Sequence, residues 1–220
     1  MGPILSSLLS EVQKSIPKAQ IKFKDKSMFM KFLGVLLFFN KSFMTRYTTT
    51  IGFTVYFPNE ADATARDEAF ANVFSHESVH MSDYKKWGVL FKLSYLLPQL
   101  LAVFALLSIL AIWFSKLWLL NLLWLLMVAP IPAYFRSHWE LRGYVMDLAY
   151  DHWKFNAEPD PSRYLNRFTT SGYYFMWPFS GHMKRRFEKM IAKMKSGNLF
   201  LDQPYKVVHD WIEAEKTKAA

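Results

Sequence analysis

The chain of 220 residues contains no cysteine. That absence excludes disulfides and thiolate metal sites, so any metal ion must be held by His, Asp or Glu. It says little about compartment. The first twenty residues hold no long apolar run closed by a small-residue cleavage site, so a cleaved secretory signal is not expected. Acidic residues are the scarcer charge, 18 Asp and Glu against 27 Lys and Arg, which leaves a formal net charge of +9. An excess of that sign suits nucleic acid or an anionic membrane surface. The basic residues lie on the flanks of apolar segments and form no recognisable nucleic-acid motif, so the lipid bilayer is the expected partner and nucleic acid is not. Internal repeats and low-complexity tracts are also missing.

What is present is apolar and aromatic side chain, 52% and 18% of the residues. That is ample for one core. Residues 4–27 mix Leu and Ile with Lys14, Lys18, Lys22, Lys24 and Lys26, a basic segment that suits either anionic lipid or a solvated helix face. Residues 28–39 are apolar apart from Lys31, but fall short of the roughly 20 residues that span a bilayer. A buried or in-plane helix is expected there. The Thr, Tyr, Val and Phe of 44–57 predict a strand or hairpin. A long helix is expected over 62–87, ended by Gly88.

Residues 94–115 and 117–135 carry no charge, with Lys116 between them. Each is near the length of a membrane helix, so a transmembrane hairpin is expected, or a partly re-entrant pair, given Pro98, Pro130 and Pro132 near the ends. Lys85, Lys86 and Lys92 precede these runs and Arg136 and Arg142 follow, which puts both flanks in the cytoplasm. A helix over 137–155 with Ser137 as N-cap, a stop at Pro159-Asp160-Pro161, a basic helix over 183–195 and a mobile tail after Trp211 complete the chain. The fold class is α+β, mainly helical. Its organisation is an N-terminal segment 1–43, a strand and helix region 44–93, the hairpin 94–135 and a C-terminal region 136–220.

One pattern carries chemistry: His76-Glu77-Ser78-Val79-His80. Four residues are a little over one helical turn, so His76 and His80 project from one face at a separation that suits two imidazoles on one tetrahedral zinc ion. Glu77 lies one position round the helix, beside the metal, where its carboxylate can take a proton from an attacking water. A catalytic zinc site wants a third protein ligand. His138, Glu140, Asp147, Asp151, His152 and His182 are the candidates downstream. Glu140 is preferred because it opens a helix just after the hairpin, and Gly143 one turn on lets another helix approach. Two positions apart on a helix is about 200°, so His138 and Glu140 cannot both face one metal ion. For the developing oxyanion, 168–186 offers Tyr173, Tyr174, His182 and Arg185 as donors, with Tyr173 and His182 the expected catalytic ones.

His76-Glu77-x-x-His80, an apolar hairpin and then a helix bearing Glu140 resemble the membrane-integrated gluzincin peptidases of the heat-shock and CAAX-prenyl protease type. The resemblance covers roughly 44–155 and rests on order and topology. It implies a zincin-like metallopeptidase domain, Zn2+ bound by His76, His80 and Glu140, Glu77 as general base, and a protein or peptide substrate. It also implies that a strand ahead of the motif helix, as in 44–57, receives the substrate in extended form. Where the family often has an acid four positions after the zinc glutamate, this chain has Tyr144, and the nearest acid on that face is Asp147. The function expected is therefore a membrane-anchored zinc endopeptidase, an integral membrane protein with its site facing the cytoplasm. The alternative is a non-catalytic membrane structural or assembly protein with a peptidase-like fold. A di-iron oxidase would need a second Glu-x-x-His pair, and a histidine-box hydroxylase more clustered histidines than the six here.

Overall fold

A computed structural model describes residues 1–38, 40–170 and 175–219. The chain divides into two compact units. The first comprises Met1–Lys86, Arg142–Pro159 and Met190–Ala220, the second Trp87–Leu141 and Asp160–Lys189. The α+β, mainly helical class holds: helices dominate and the sheet has three strands.

In the first unit, α1 (Pro3–Ser15) buries Leu5, Leu8 and Val12. Its orphan N-terminal N–H groups are satisfied by Asp67, whose carboxylate accepts from Ile4 and Leu5 at 2.7 and 3.0 Å. The apolar side of α1 therefore lies in the core. Residues 20–23 form β1 (Gln20–Phe23), which pairs parallel with β3 (Thr54–Phe57); β2 (Thr49–Ile51) pairs antiparallel with β3. The sheet order is β1-β3-β2, so β2 is an outer strand. The strand or hairpin expected over 44–57 is a hairpin, β2 and β3. Val55 and Phe57 point into the core. Between the strands of the sheet in sequence lies α2 (Met28–Leu36), capped by Ser27, whose hydroxyl accepts from the Met30 N–H.

The helix expected over 62–87 is broken once. A short α3 (Glu60–Ala65) ends at Arg66, and α4 (Asp67–Trp87) starts where Asp67 turns to cap α1. Gly88, at φ +55, ends α4 in a conformation that side-chain-bearing residues rarely adopt. At the other end of the unit, Gln203–Ala219 is a helix, α9, with Tyr205, Val208, Trp211 and Ile212 buried. The tail after Trp211 continues this helix, with Ile212 buried and Glu213, Ala214, Lys216, Thr217 and Lys218 exposed.

Lys24, at the end of β1, is fully buried; its ammonium donates to the Phe43 carbonyl at 2.7 Å and lies 4.0 Å from the Phe43 ring centroid. Burial lowers its pKa from 10.5 to about 8, with the negative charge of Glu77 opposing the shift. Below that value Lys24 is a cation in folded and unfolded chains alike, and the fold bears the full cost of burying it. Between about 8 and 10.5 the unfolded chain holds a proton that the folded chain has released, so stability rises with pH across that window. Thermal unfolding in detergent is expected to show this rise. Lys24→Met is expected to be more stable near neutral pH and to lack it; equal pH slopes in the two proteins would refute the assignment.

In the second unit, the chain does not form the two straight α-helical spans expected over 94–115 and 117–135. It forms α5 (Val89–Leu96), a 3-10 helix over Gln99–Ile112 and a second over Lys116–Val128. Pro98 lacks an N–H, and the residue before a proline is driven to an extended conformation; Leu97, at φ −71 and ψ 144, obeys. The run consequently bends by 84° between α5 and the first 3-10 helix. Among the described residues no single helix is long and apolar enough to cross a membrane, while the bent pair passes that test together. The two 3-10 helices pack side by side, joined at Ser115, whose hydroxyl accepts from the Leu117 N–H. Most of their large apolar side chains are exposed. Nothing in the composition of these runs explains the tighter winding. Helix α6 (Tyr134–Phe155) follows. It starts three residues ahead of the expected N-cap: Ser137 lies inside the first turn and donates to the Tyr134 carbonyl at 2.7 Å. It closes at Asn156, φ +55, ahead of the prolines. Then come α7 (Ser162–Thr169) and α8 (Ser180–Lys195), which contains the expected basic helix over 183–195.

Candidate metal centre

Two helices build the site. Asn72 donates to Asp151 at 2.8 Å, the ring of His76 meets Asp147, and Asp83 meets Arg142. As the residue number rises along α4 it falls along α6, so the pair runs antiparallel. The closest approach is at Gly143: a Cβ built there would stand 2.3 Å from His76 Nε2. Glycine is required by proximity, and the approach expected from this residue is present.

The Arg142–Asp83 pair fixes the helices one turn beyond the histidines. Arg142 grips both Asp83 oxygens at 3.0 Å and reaches Asp202 at 2.7 Å, while the Tyr205 hydroxyl donates to the Arg142 carbonyl at 2.8 Å. Burial raises the pKa of Asp83 from its ordinary value, against the pull of Arg142. Removing one member of so buried a pair typically costs about 3–5 kcal/mol, because the other is left without compensation.

His76 and His80 lie on one face of α4, as their spacing predicts, with their Nε2 atoms 3.2 Å apart. Two nitrogens each about 2.0–2.1 Å from one tetrahedral cation stand about 3.3–3.4 Å apart. Asp147 places both carboxylate oxygens 3.2 Å from His76 Nδ1. The Nδ1–H donates to that carboxylate, which leaves Nε2 as the lone-pair nitrogen, aimed at His80. The candidate ligand atoms of His76, His80 and Glu140 all lie within 4.8 Å of one another, and all three residues are buried. This group could hold a metal ion. Its donor set, two imidazoles and a carboxylate, and the preset tautomer of His76 fit a divalent cation.

Glu77 is half-buried and is not a member of the group. Its Oε2 accepts from the Thr50 hydroxyl at 2.7 Å, which ties it to the outer strand β2. Tyr144 sets its ring edge-on to His76, with the centroids 5.0 Å apart. Asp147 takes the supporting role one turn later.

The remaining candidates fall elsewhere. His138 Nδ1 accepts from Arg186 at 3.0 Å, and His138 is not a member of the metal group. Asp151 pairs with Asn72, and His152 Nδ1 donates to the Ala157 carbonyl at 2.9 Å. His182 sits in the first turn of α8, where its Nδ1 accepts from the Trp177 indole at 2.9 Å. Tyr173 and Tyr174 lie outside the described residues.

Two contacts to Glu140 and Glu77 escaped sequence reasoning. Tyr95 donates its hydroxyl to Glu140 Oε1, a hydrogen bond that orients the carboxylate. Tyr95 stands in an uncharged run, and its one distinguishing mark is being the sole tyrosine there. Thr50 has no local signal, because only the pairing of β2 with β3 brings it to Glu77.

No family model, no curated protein and no solved structure matches this chain.

Proposed function

We propose that this chain is a membrane-anchored zinc endopeptidase that uses Glu77 to activate water against a peptide carbonyl. The observation that carries the reading is the convergence of His76, His80 and Glu140, with a carboxylate beside the group that is not a ligand. Two imidazoles and one carboxylate suit a borderline divalent ion, of which zinc is the best match. Bound there, zinc would supply a Lewis acid and lower the pKa of water. The protein does the rest. Asp147 holds the His76 ring in its tautomer, Tyr95 orients Glu140, and Thr50 keeps the Glu77 carboxylate facing the outer strand. Glu77 takes the proton of the attacking water and returns it to the leaving amine. A peptide laid in extended form along β2 would pass directly by that carboxylate, which gives the outer strand the role of substrate platform.

The apolar stretch 94–135 is the proposed anchor. No single helix among the described residues is long and apolar enough to cross a bilayer, but α5 and the 3-10 helix Gln99–Ile112 together have the length and apolar composition of a bent span. The basic residues on both flanks favour the cytoplasmic face for the site.

The test is metal removal. Detergent-purified chain should contain about one zinc ion per molecule. Chelation should abolish cleavage of an unstructured protein substrate, and zinc should restore it. Full metal occupancy with no turnover of any unfolded substrate would instead assign the chain as a structural membrane protein with a peptidase-like site.

A further inference from the structure

Helix α2 presents an apolar face to the outside of its unit. Met28 is 78% exposed, Phe32 60% and Val35 71%, and Phe29 and Leu36 are more than half exposed. At about 100° per residue these five share one arc of roughly 120°, with Lys31 at its edge. The opposite arc faces inward: Met30 is fully buried, and a Cβ on Gly34 would touch Met44 at 3.0 Å. The helix is therefore held by its inner side while its bulkiest apolar side chains point away from the core. Contiguous apolar surface of this kind marks a contact site.

The charge around it identifies the occupant. From Lys14 to Arg46 the chain has eight basic residues and one acidic residue. Lys18, Lys22, Lys31, Lys41 and Arg46 are exposed. A second copy of the chain docked face to face would bring these cations against their own images. An anionic lipid surface matches both features, since it takes apolar side chains between its headgroups and basic ones among its phosphates. Nine residues cannot cross a bilayer, but suffice to lie along one.

We propose that α2 is an in-plane membrane contact selective for anionic lipid, separate from the 94–135 anchor and independent of the metal chemistry. The chain has no cysteine, so single cysteines report cleanly. Phe32→Cys and Val35→Cys, each carrying an environment-sensitive fluorophore, are compared with Ala214→Cys at an exposed position of α9. The full chain is reconstituted in nanodiscs of phosphatidylcholine, with or without phosphatidylglycerol. Brominated acyl chains should quench the probes at 32 and 35 several-fold more strongly than the one at 214, and more strongly still when phosphatidylglycerol is present. Lys31→Glu with Lys41→Glu should remove that gain. Probes at 32 and 35 as poorly quenched as the one at 214, or quenched equally in both lipids, would overturn the proposal. A concentration-dependent blue shift in detergent alone would also overturn it, assigning the face to a second copy.

Discussion

Glu77→Gln protein is expected to bind zinc at wild-type stoichiometry and to lose hydrolysis by about 10²- to 10⁴-fold, the usual contribution of a general base. The separation of the two readouts follows from where the carboxylate lies. Glu77 is outside the group formed by His76, His80 and Glu140, so its removal leaves every donor in place. Its hydrogen bond from Thr50 can be kept, because a glutamine amide oxygen accepts as a carboxylate oxygen does. The fold should thus be undisturbed while the proton acceptor is gone. His76→Ala or His80→Ala should behave differently and lose metal and activity together. Metal content by elemental analysis, and cleavage of an unstructured protein, decide the matter. Unchanged cleavage by Glu77→Gln would remove Glu77 from the chemistry and leave the centre structural.

The parts of this site that were legible in the sequence are those set by local geometry. His76 and His80 are one helical turn apart on a segment without Gly or Pro, so their shared face follows from the pitch of the helix. Glu140 was legible for a similar reason, since Gly143 on the same helix marks the close approach that the structure shows at His76. Asp147 stood out only as an acid on the correct face; its bond to His76 depends on how α4 and α6 pack. Thr50 and Tyr95 were not legible, because each contributes a hydroxyl whose partner is distant in sequence, 27 and 45 residues away.

The fold divides along the same line. The hairpin 44–57 pairs strands that are neighbours in sequence, and its composition marks it. The strand β1 is hidden in a lysine-rich stretch, and its parallel partner lies 34 residues further on, Gln20 opposite Thr54. The C-terminal helix was hidden differently. Its Lys, Glu and Ala read as a solvated tail, whereas Tyr205, Val208 and Ile212 recur at a spacing that buries one face. The apolar stretch 94–135 was recognised by its missing charges, but composition carried no information about the 3-10 winding or the bend at Pro98.

Gly143→Ala is expected to abolish metal binding although it removes neither a charge nor a donor atom. The new methyl carbon would stand 2.3 Å from Nε2, 2.5 Å from Cε1 and 2.7 Å from Cδ2 of His76, well inside any contact that real atoms tolerate. The imidazole cannot simply swing aside, because Asp147 holds its Nδ1 at 3.2 Å and the Tyr144 ring lies against it. Nor can the helices part freely, since Arg142, the next residue, is fixed to Asp83 and Asp202. Either the ring turns and Nε2 leaves the metal, or α4 and α6 separate and the three donors no longer converge. Loss of one ligand atom from a three-donor site should weaken zinc affinity by more than the 10- to 100-fold typical of losing only a partner that supports a ligand. Asp147→Asn provides that smaller comparison, because the amide keeps an acceptor for Nδ1–H but drops the charge. His138→Ala, at a ring engaged with Arg186, should leave affinity near wild type. The order expected in a competitive zinc titration is therefore His138→Ala near wild type, Asp147→Asn weaker and Gly143→Ala weakest. If Gly143→Ala bound zinc as tightly as the wild type, the close packing of α4 on α6 at His76 would be wrong, and with it the geometry assigned to the centre.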